Sequence, residues 1–248
     1  MNDLERKCHN FILQCYFGDM ENPIDAAIDR AYVDMASHTL KGFAEHQYQE
    51  KWELRFEASS KIKKALDLLD AESDYTSWHC ELCGKLQKVY TEKRLSYGQA
   101  QKWINMTTKY LQVFAVIFKS IDDDEGLSKI PEFFWNAANI KKLHIPLDRY
   151  IMEAYNIGSF GPWSKLNDKQ YAECCARTGG KTLEDELADW GEIAKKHRAD
   201  NHKSYAYFVE NKRNKMAILG HREFFSRCPL FISSALIDSL SGGETNER

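Results

Sequence analysis

Apolar side chains recur at three- and four-residue intervals through most of the chain, a spacing that predicts helices rather than strands. After Asn22-Pro23 the series Ile24, Ala27, Ile28, Ala31 and Met35 lines one helical face, and Trp103, Thr107, Tyr110, Phe114 and Ile117 line another. Helices are expected over residues 4–17, 23–46, 59–70, 75–93, 97–119, 131–138, 147–157, 167–178, 182–200 and 204–217. No alternating strand pattern runs beyond a few residues. The acidic loop from Ser120 to Gly126 is the sharpest internal break, and the tail 239–248 is expected to be disordered. The expected class is mainly α, with one mostly helical domain over 1–238 that a two-lobed arrangement would also satisfy.

A chain of 248 residues, 43% hydrophobic and 12% aromatic, can bury a sizeable core without disulfide staples. Its seven cysteines are odd in number and irregularly spaced, which fits a reducing, cytoplasmic setting better than a secreted disulfide framework. The longest apolar run, Val113 to Phe118, is far short of the ~18 residues of a membrane span. The protein is expected to be soluble and monomeric.

The net charge of −3 argues weakly against nucleic acid, but the charge is unevenly spread. From Lys195 to Arg227 nine Lys/Arg stand against three Asp/Glu. Lys195, Lys196, Arg198, Lys212 and Arg213 are therefore candidate contacts to DNA phosphates. A solvated helix face would give the same pattern.

Two helix starts carry candidate chemistry. Ser96 can cap the helix that opens with Tyr97-Gly98-Gln99, whose first amides form a potential anion site for a DNA phosphate. Lys102 follows one turn in, where the helix macrodipole disfavours its charge and so favours a nucleophilic amine. The second start is Ile145-Pro146-Leu147-Asp148. Asp148 is a good N-cap, and at the lip of an apolar turn it could also stabilise positive charge on a deoxyribose that is losing its base.

A glycine-containing turn, a helix with an early lysine (Tyr97 to Ile104) and an apolar Pro-containing turn closing on aspartate (Ile145 to Ile151) occur in that order. The segment 96–152 resembles the helix-hairpin-helix DNA glycosylase superfamily, and within it the divergent 8-oxoguanine glycosylases. It differs from the family pattern in lacking Gly-x-Gly in the hairpin and in carrying the acidic loop 122–125 between lysine and aspartate. The resemblance implies a two-lobed helical bundle with the site in the cleft between lobes, Lys102 and Asp148 as catalytic residues, and double-stranded DNA bearing a modified base as partner. It implies an N-glycosylase acting in DNA repair or anti-phage defence, with AP-lyase activity if Lys102 forms a Schiff base. The substrate would be an oxidised purine or a hypermodified, for example glucosylated, cytosine. A flipped base needs aromatic surfaces, and Trp103, Tyr150, Phe160 and Trp163 are the candidates, although aromatics at helical spacing also build cores.

Other motifs carry less. His79-Cys80-Glu81-Leu82-Cys83 has one Cys-x-x-Cys with no second pair, so no metal or other cofactor is expected. Residues 178–182, Thr-Gly-Gly-Lys-Thr, lack the spacing of a P-loop and read as a connection between helices. Arg198 to His202 resembles the arginine–histidine motif of HEPN ribonucleases, one residue short of its usual spacing. A HEPN-like ribonuclease and a non-enzymatic helical interaction protein are therefore the alternatives.

Overall fold

The computed structural model describes residues 3–18, 20–36, 39–40, 47–70, 72–90 and 94–193. Contacts divide the chain into two units, Met1–Ile193 and Ala194–Arg248, and the described residues belong to the first. The expected helix at 204–217, the part of 182–200 beyond residue 193 and the tail 239–248 lie outside the described residues.

The first unit is mainly helical, as the apolar spacing predicts. It comprises α1 (Asp3–Phe17), α2 (Pro23–Ala36), α3 (Tyr48–Leu66), α4 (Tyr75–Val89), α5 (Tyr97–Ser120), α6 (Asp124–Ser128), α7 (Arg149–Ala154) and α8 (Asp168–Arg177), then helical turns over 183–193. Short 3-10 turns at Glu132–Trp135, Ala137–Lys142, Gly158–Phe160 and Trp163–Lys165 fill the connections. One isolated β-bridge, His144 to Thr182, is present among the described residues. No described helix is long and apolar enough to cross a membrane.

Helix α5 is the axis of this unit. Its start is fixed by a capping box: the Gln99 N–H donates to the Ser96 hydroxyl at 3.0 Å, and the Ser96 N–H donates to the Gln99 side chain at 2.9 Å. From there it packs against α2, α4, α6, α8 and the 3-10 turns at Glu132–Trp135 and Trp163–Lys165. Trp103, Ile104, Leu111 and Phe114 are buried in one core with Ala27, Ile28, Ala31 and Met35 of α2. Side chains of the larger kind contribute about 1.5–3 kcal/mol each on full burial. The helix stops where Asp122 turns to a φ of 55° and Asp123 caps α6 through the Gly126 N–H at 2.9 Å.

Five elements differ from the expectation, the first being α2, which ends at Ala36 rather than at 46, with residues 39–40 not helical. Helix α3 begins at Tyr48, eleven residues before the predicted 59, because its buried stripe Ala58, Ile62, Leu66 starts late while Tyr48 and Phe56 face outward. The predicted helix 131–138 is two 3-10 turns after Pro131. The predicted 147–157 shrinks to Arg149–Ala154, ended by Tyr155 and by Asn156 at a φ of 56°. The acidic break itself holds the short helix α6.

Candidate active site

The site grows out of two buried amides on α5. Gln101 donates through Nε2 to the Gly98 and Leu147 carbonyls at 2.9 and 2.8 Å, and its Oε1 accepts the Leu147 N–H at 3.2 Å. Asn105, one turn on, donates to Gln101 Oε1 at 3.1 Å and to the Ile145 carbonyl at 3.3 Å. Buried backbone groups must find partners, so these amides strap the apolar turn 145–147 to the helix in one register. Pro146 keeps Ile145 extended. Asp148 is thereby delivered to the start of α7, where its Oδ1 accepts the Ile151 N–H at 3.1 Å as an N-cap.

Its other oxygen, Oδ2, faces Lys102 Nζ at 3.4 Å. Both side chains are largely shielded, 10% exposed for Lys102 and 14% for Asp148. The separation is long for a charge-assisted hydrogen bond, whose usual length is about 2.7–2.9 Å, so the pair has slack that a ligand group could take up. Lys102 Nζ also lies 4.5 Å from the ring centroid of Trp163, a cation–π distance.

A second pair adjoins the first, and nothing in the sequence singled it out. Lys109 Nζ donates to Glu186 Oε1 at 2.6 Å, with the side chains 12% and 2% exposed. Burial pushes the Glu186 carboxyl above the usual glutamate range, with Lys109 opposing the shift. Asp148 and Lys102 also act on Glu186 electrostatically, which places both pairs in one charged cluster. Lys109 lies 4.8 Å from the Trp190 ring. The available signal was the seven-residue spacing of Lys102 and Lys109, which puts both on one face of α5. Glu186 reads in sequence as an ordinary first-turn acid.

The remaining expected site residues fall elsewhere. Tyr97, Gly98 and Gln99 are buried, and the Gly98 and Gln99 amides donate to the Leu166 carbonyl at 2.9 Å and to Ser96 Oγ at 3.0 Å. The helix start is thus covered by the protein itself rather than open to a DNA phosphate, which corrects that expectation. Trp103 is also corrected: it is fully buried, donates to the Ile28 carbonyl at 3.0 Å and packs on Tyr32, so it is a core residue and not a base platform. Tyr150 and Phe160 are half-buried against the core, and Arg177 stacks on the Phe160 ring at 4.5 Å. Among the aromatic candidates, Trp163 reaches Lys102. Lys195, Lys196, Arg198, Lys212 and Arg213, and with them the HEPN-like Arg198 and His202, lie outside the described residues.

Beside the charged cluster runs a neutral polar layer. His144 Nδ1 meets the Tyr171 hydroxyl at 3.0 Å, and its Nε2 meets Thr76 Oγ1 at 3.1 Å. The ring of buried His79 lies 4.8 Å from that of His144. Two clefts of about 440 and 940 Å³ meet at Thr76, His144 and Cys175, and neither is lined by Lys102 or Asp148. Cys83 is buried and Cys80 is exposed on α4. Residues 178–182 connect α8 to the turns at 183–193, with Gly179 and Gly180 at positive φ.

Burial lowers the His144 ring from its ordinary value of 6.5 to about 4, and Asp74 opposes the shift. Burial, and then His144, also lowers His79. Both rings bind fewer protons folded than unfolded, so stability is complete above about pH 6.5 and falls as the pH drops toward 4. His144 alone should account for up to about 3 kcal/mol at about 1.4 kcal/mol per pH unit. Thermal melts at pH 7 and pH 4.5 should show that loss, and His144→Asn should flatten the difference.

No protein-family model, curated protein or solved structure matches the chain. The functional conclusion therefore rests on the residues and their geometry.

Proposed function

We propose that this protein is a DNA N-glycosylase whose reacting centre is Asp148, with Lys102 beside it. The observation that carries the proposal is the meeting, at 3.4 Å, of a lysine and an aspartate 46 residues apart, the two residues that the resemblance to helix-hairpin-helix glycosylases singles out.

In such a reaction the C1′–N bond of a flipped nucleotide breaks, the base leaves with the bonding electron pair, water adds its oxygen to C1′, and the proton that water gives up ends on the departed base. Asp148 Oδ2 stabilises the positive charge that develops on the sugar and receives the proton of the attacking water. Its capping bond to Ile151 fixes the carboxylate in advance, so little reorganisation is needed at the moment of reaction. Lys102 faces both a carboxylate and an aromatic ring, a posture that serves a cationic contact to phosphate or base better than Schiff-base formation. Hydrolytic release without strand cleavage is the expected mode. Trp163 offers a stacking face for the extruded base.

The two-lobed arrangement of that superfamily belongs to the same proposal, as do phosphate contacts from Lys195, Lys196, Arg198, Lys212 and Arg213. So do the substrate classes, an oxidised purine or a hypermodified cytosine, and a setting in repair or anti-phage defence.

Mass spectrometry of bases freed from oxidised, uracil-containing and glucosyl-hydroxymethylcytosine DNA tests the proposal. Wild type should release one class of base and leave an abasic site. A folded protein that releases nothing from any of these DNAs overturns it.

A further inference from the structure

Lys102 and Lys109 project from one face of α5, two turns apart, and both are nearly enclosed. Each is matched by one carboxylate from elsewhere in the chain: Asp148 from the start of α7, and Glu186 from the turns at 183–193. Lys109 is in contact with Glu186, Lys102 and Asp148 act on it electrostatically, and Glu186 in turn acts on Tyr155 just after the end of α7. Tyr155 donates its hydroxyl hydrogen to Asp189 at 3.2 Å, and Asp189 is also paired with Lys181, so that carboxylate is already engaged.

We propose that Glu186 is a positioning residue of this site: by holding Lys109, its carboxylate leaves Asp148 committed to Lys102 and to the reacting sugar. The inference rests on the glycosylase reading above.

The argument is one of charge balance in a poorly solvated place. An enclosed ammonium group without a counter-ion is unfavourable, so Lys109 released from Glu186 would turn to another carboxylate. Asp148 is the one that already shares the electrostatic neighbourhood of Glu186. Two lysines on one aspartate would pull Oδ2 away from C1′ and neutralise the charge that the transition state needs. A second feature separates Glu186 from a residue kept for stability alone. Its Oε2 is buried and has no hydrogen-bond partner among the described residues, a cost that replacing Lys109 and Glu186 together by apolar side chains would remove.

The test compares base release by wild type, Glu186→Gln, and Glu186→Gln combined with Lys109→Met, each at a temperature where melts show it folded. Glu186→Gln should lower kcat about 30-fold with little change in KM, the scale expected for a displaced reacting group. The double variant should recover at least about tenfold of that loss, since the stray ammonium group is gone. Wild-type activity should also fall on acidification as Glu186 takes up its proton and lets Lys109 go, and Glu186→Gln should lack that limb. A single variant as active as wild type, or a double variant no better than the single, overturns the proposal.

Should Glu186→Gln fail to fold, the double variant carries the test alone: release within about tenfold of wild type supports the proposal, and any deeper loss overturns it. Should wild type release no base at all, the glycosylase reading fails by itself and a crystal structure of Glu186→Gln decides. Lys109 Nζ turned onto Asp148 supports the positioning role, and Lys109 left in place or turned to solvent overturns it.

Discussion

Replacing Asp148 by asparagine should cut base release about 10²–10³-fold while keeping the helix cap, so that the melting temperature falls only by what Lys102 loses with its counter-ion. The two effects separate because Asp148 does two jobs with two oxygens. Oδ1 caps α7 by accepting the Ile151 N–H, and Oδ2 faces Lys102. Asparagine caps a helix about as well as aspartate, so its carbonyl can keep the bond to Ile151. Its amide carries no charge and cannot steady a cationic sugar or receive a proton from water. Alanine at the same position removes both functions and should cost a further ~1 kcal/mol of stability. The measurement is base release by mass spectrometry beside a thermal melt. An asparagine variant that folds and releases base at the wild-type rate would remove Asp148 from the chemistry and leave it a cap.

Gly98→Ala should destabilise the protein by about 3 kcal/mol, the upper part of the range for overpacking a tight contact. A Cβ on Gly98 would sit 1.9 Å from the Trp163 carbonyl oxygen and 3.1 Å from the Leu166 N, both of them backbone atoms that cannot rotate aside. The neighbouring bonds resist any retreat: the Gly98 N–H donates to the Leu166 carbonyl at 2.9 Å and Ser96 Oγ to the Ser164 carbonyl at 2.6 Å. The segment would have to leave the helix start, and Trp163 would leave Lys102 with it. Urea unfolding should show the loss as a lower midpoint, and base release should fall even in the folded variant. An unchanged midpoint would mean that residues 163–166 move freely over α5.

The helical character of the chain was legible because burial on α2 and α5 follows the helical period closely: Ala27, Ile28, Ala31 and Met35 meet the Trp103 and Phe114 face. The first half of α3 was not, since its aromatics Tyr48, Trp52 and Phe56 recur every four residues on an exposed face and gave no cue for a buried stripe. At the candidate site the residue types at helix starts showed Lys102 and Asp148, and a single Pro-containing turn showed how Asp148 would be held. What the sequence hid is everything that depends on distant segments coming together. Gly98 looked like an opening for a phosphate because glycine permits close approach, yet the backbone that approaches is the protein's own, from Trp163 to Leu166. Trp103 looked like a stacking surface because a tryptophan beside a candidate lysine faces either way until the neighbouring helix is known. Glu186 pairs with a lysine 77 residues away, and no local pattern marks it.

The strap made by Gln101 and Asn105 has a consequence for how this protein can fail. The amides that aim Asp148 at Lys102 are themselves sealed within the core, so the Lys102–Asp148 pair is not a loop that opens and shuts on a finished scaffold. Prising 145–147 from α5 would strand the Leu147 N–H, the Ile145 and Leu147 carbonyls and both amide side chains at once. Assembly of the pair and completion of the fold are then a single event, and a damaged or half-folded copy of this protein does not bring Lys102 and Asp148 together.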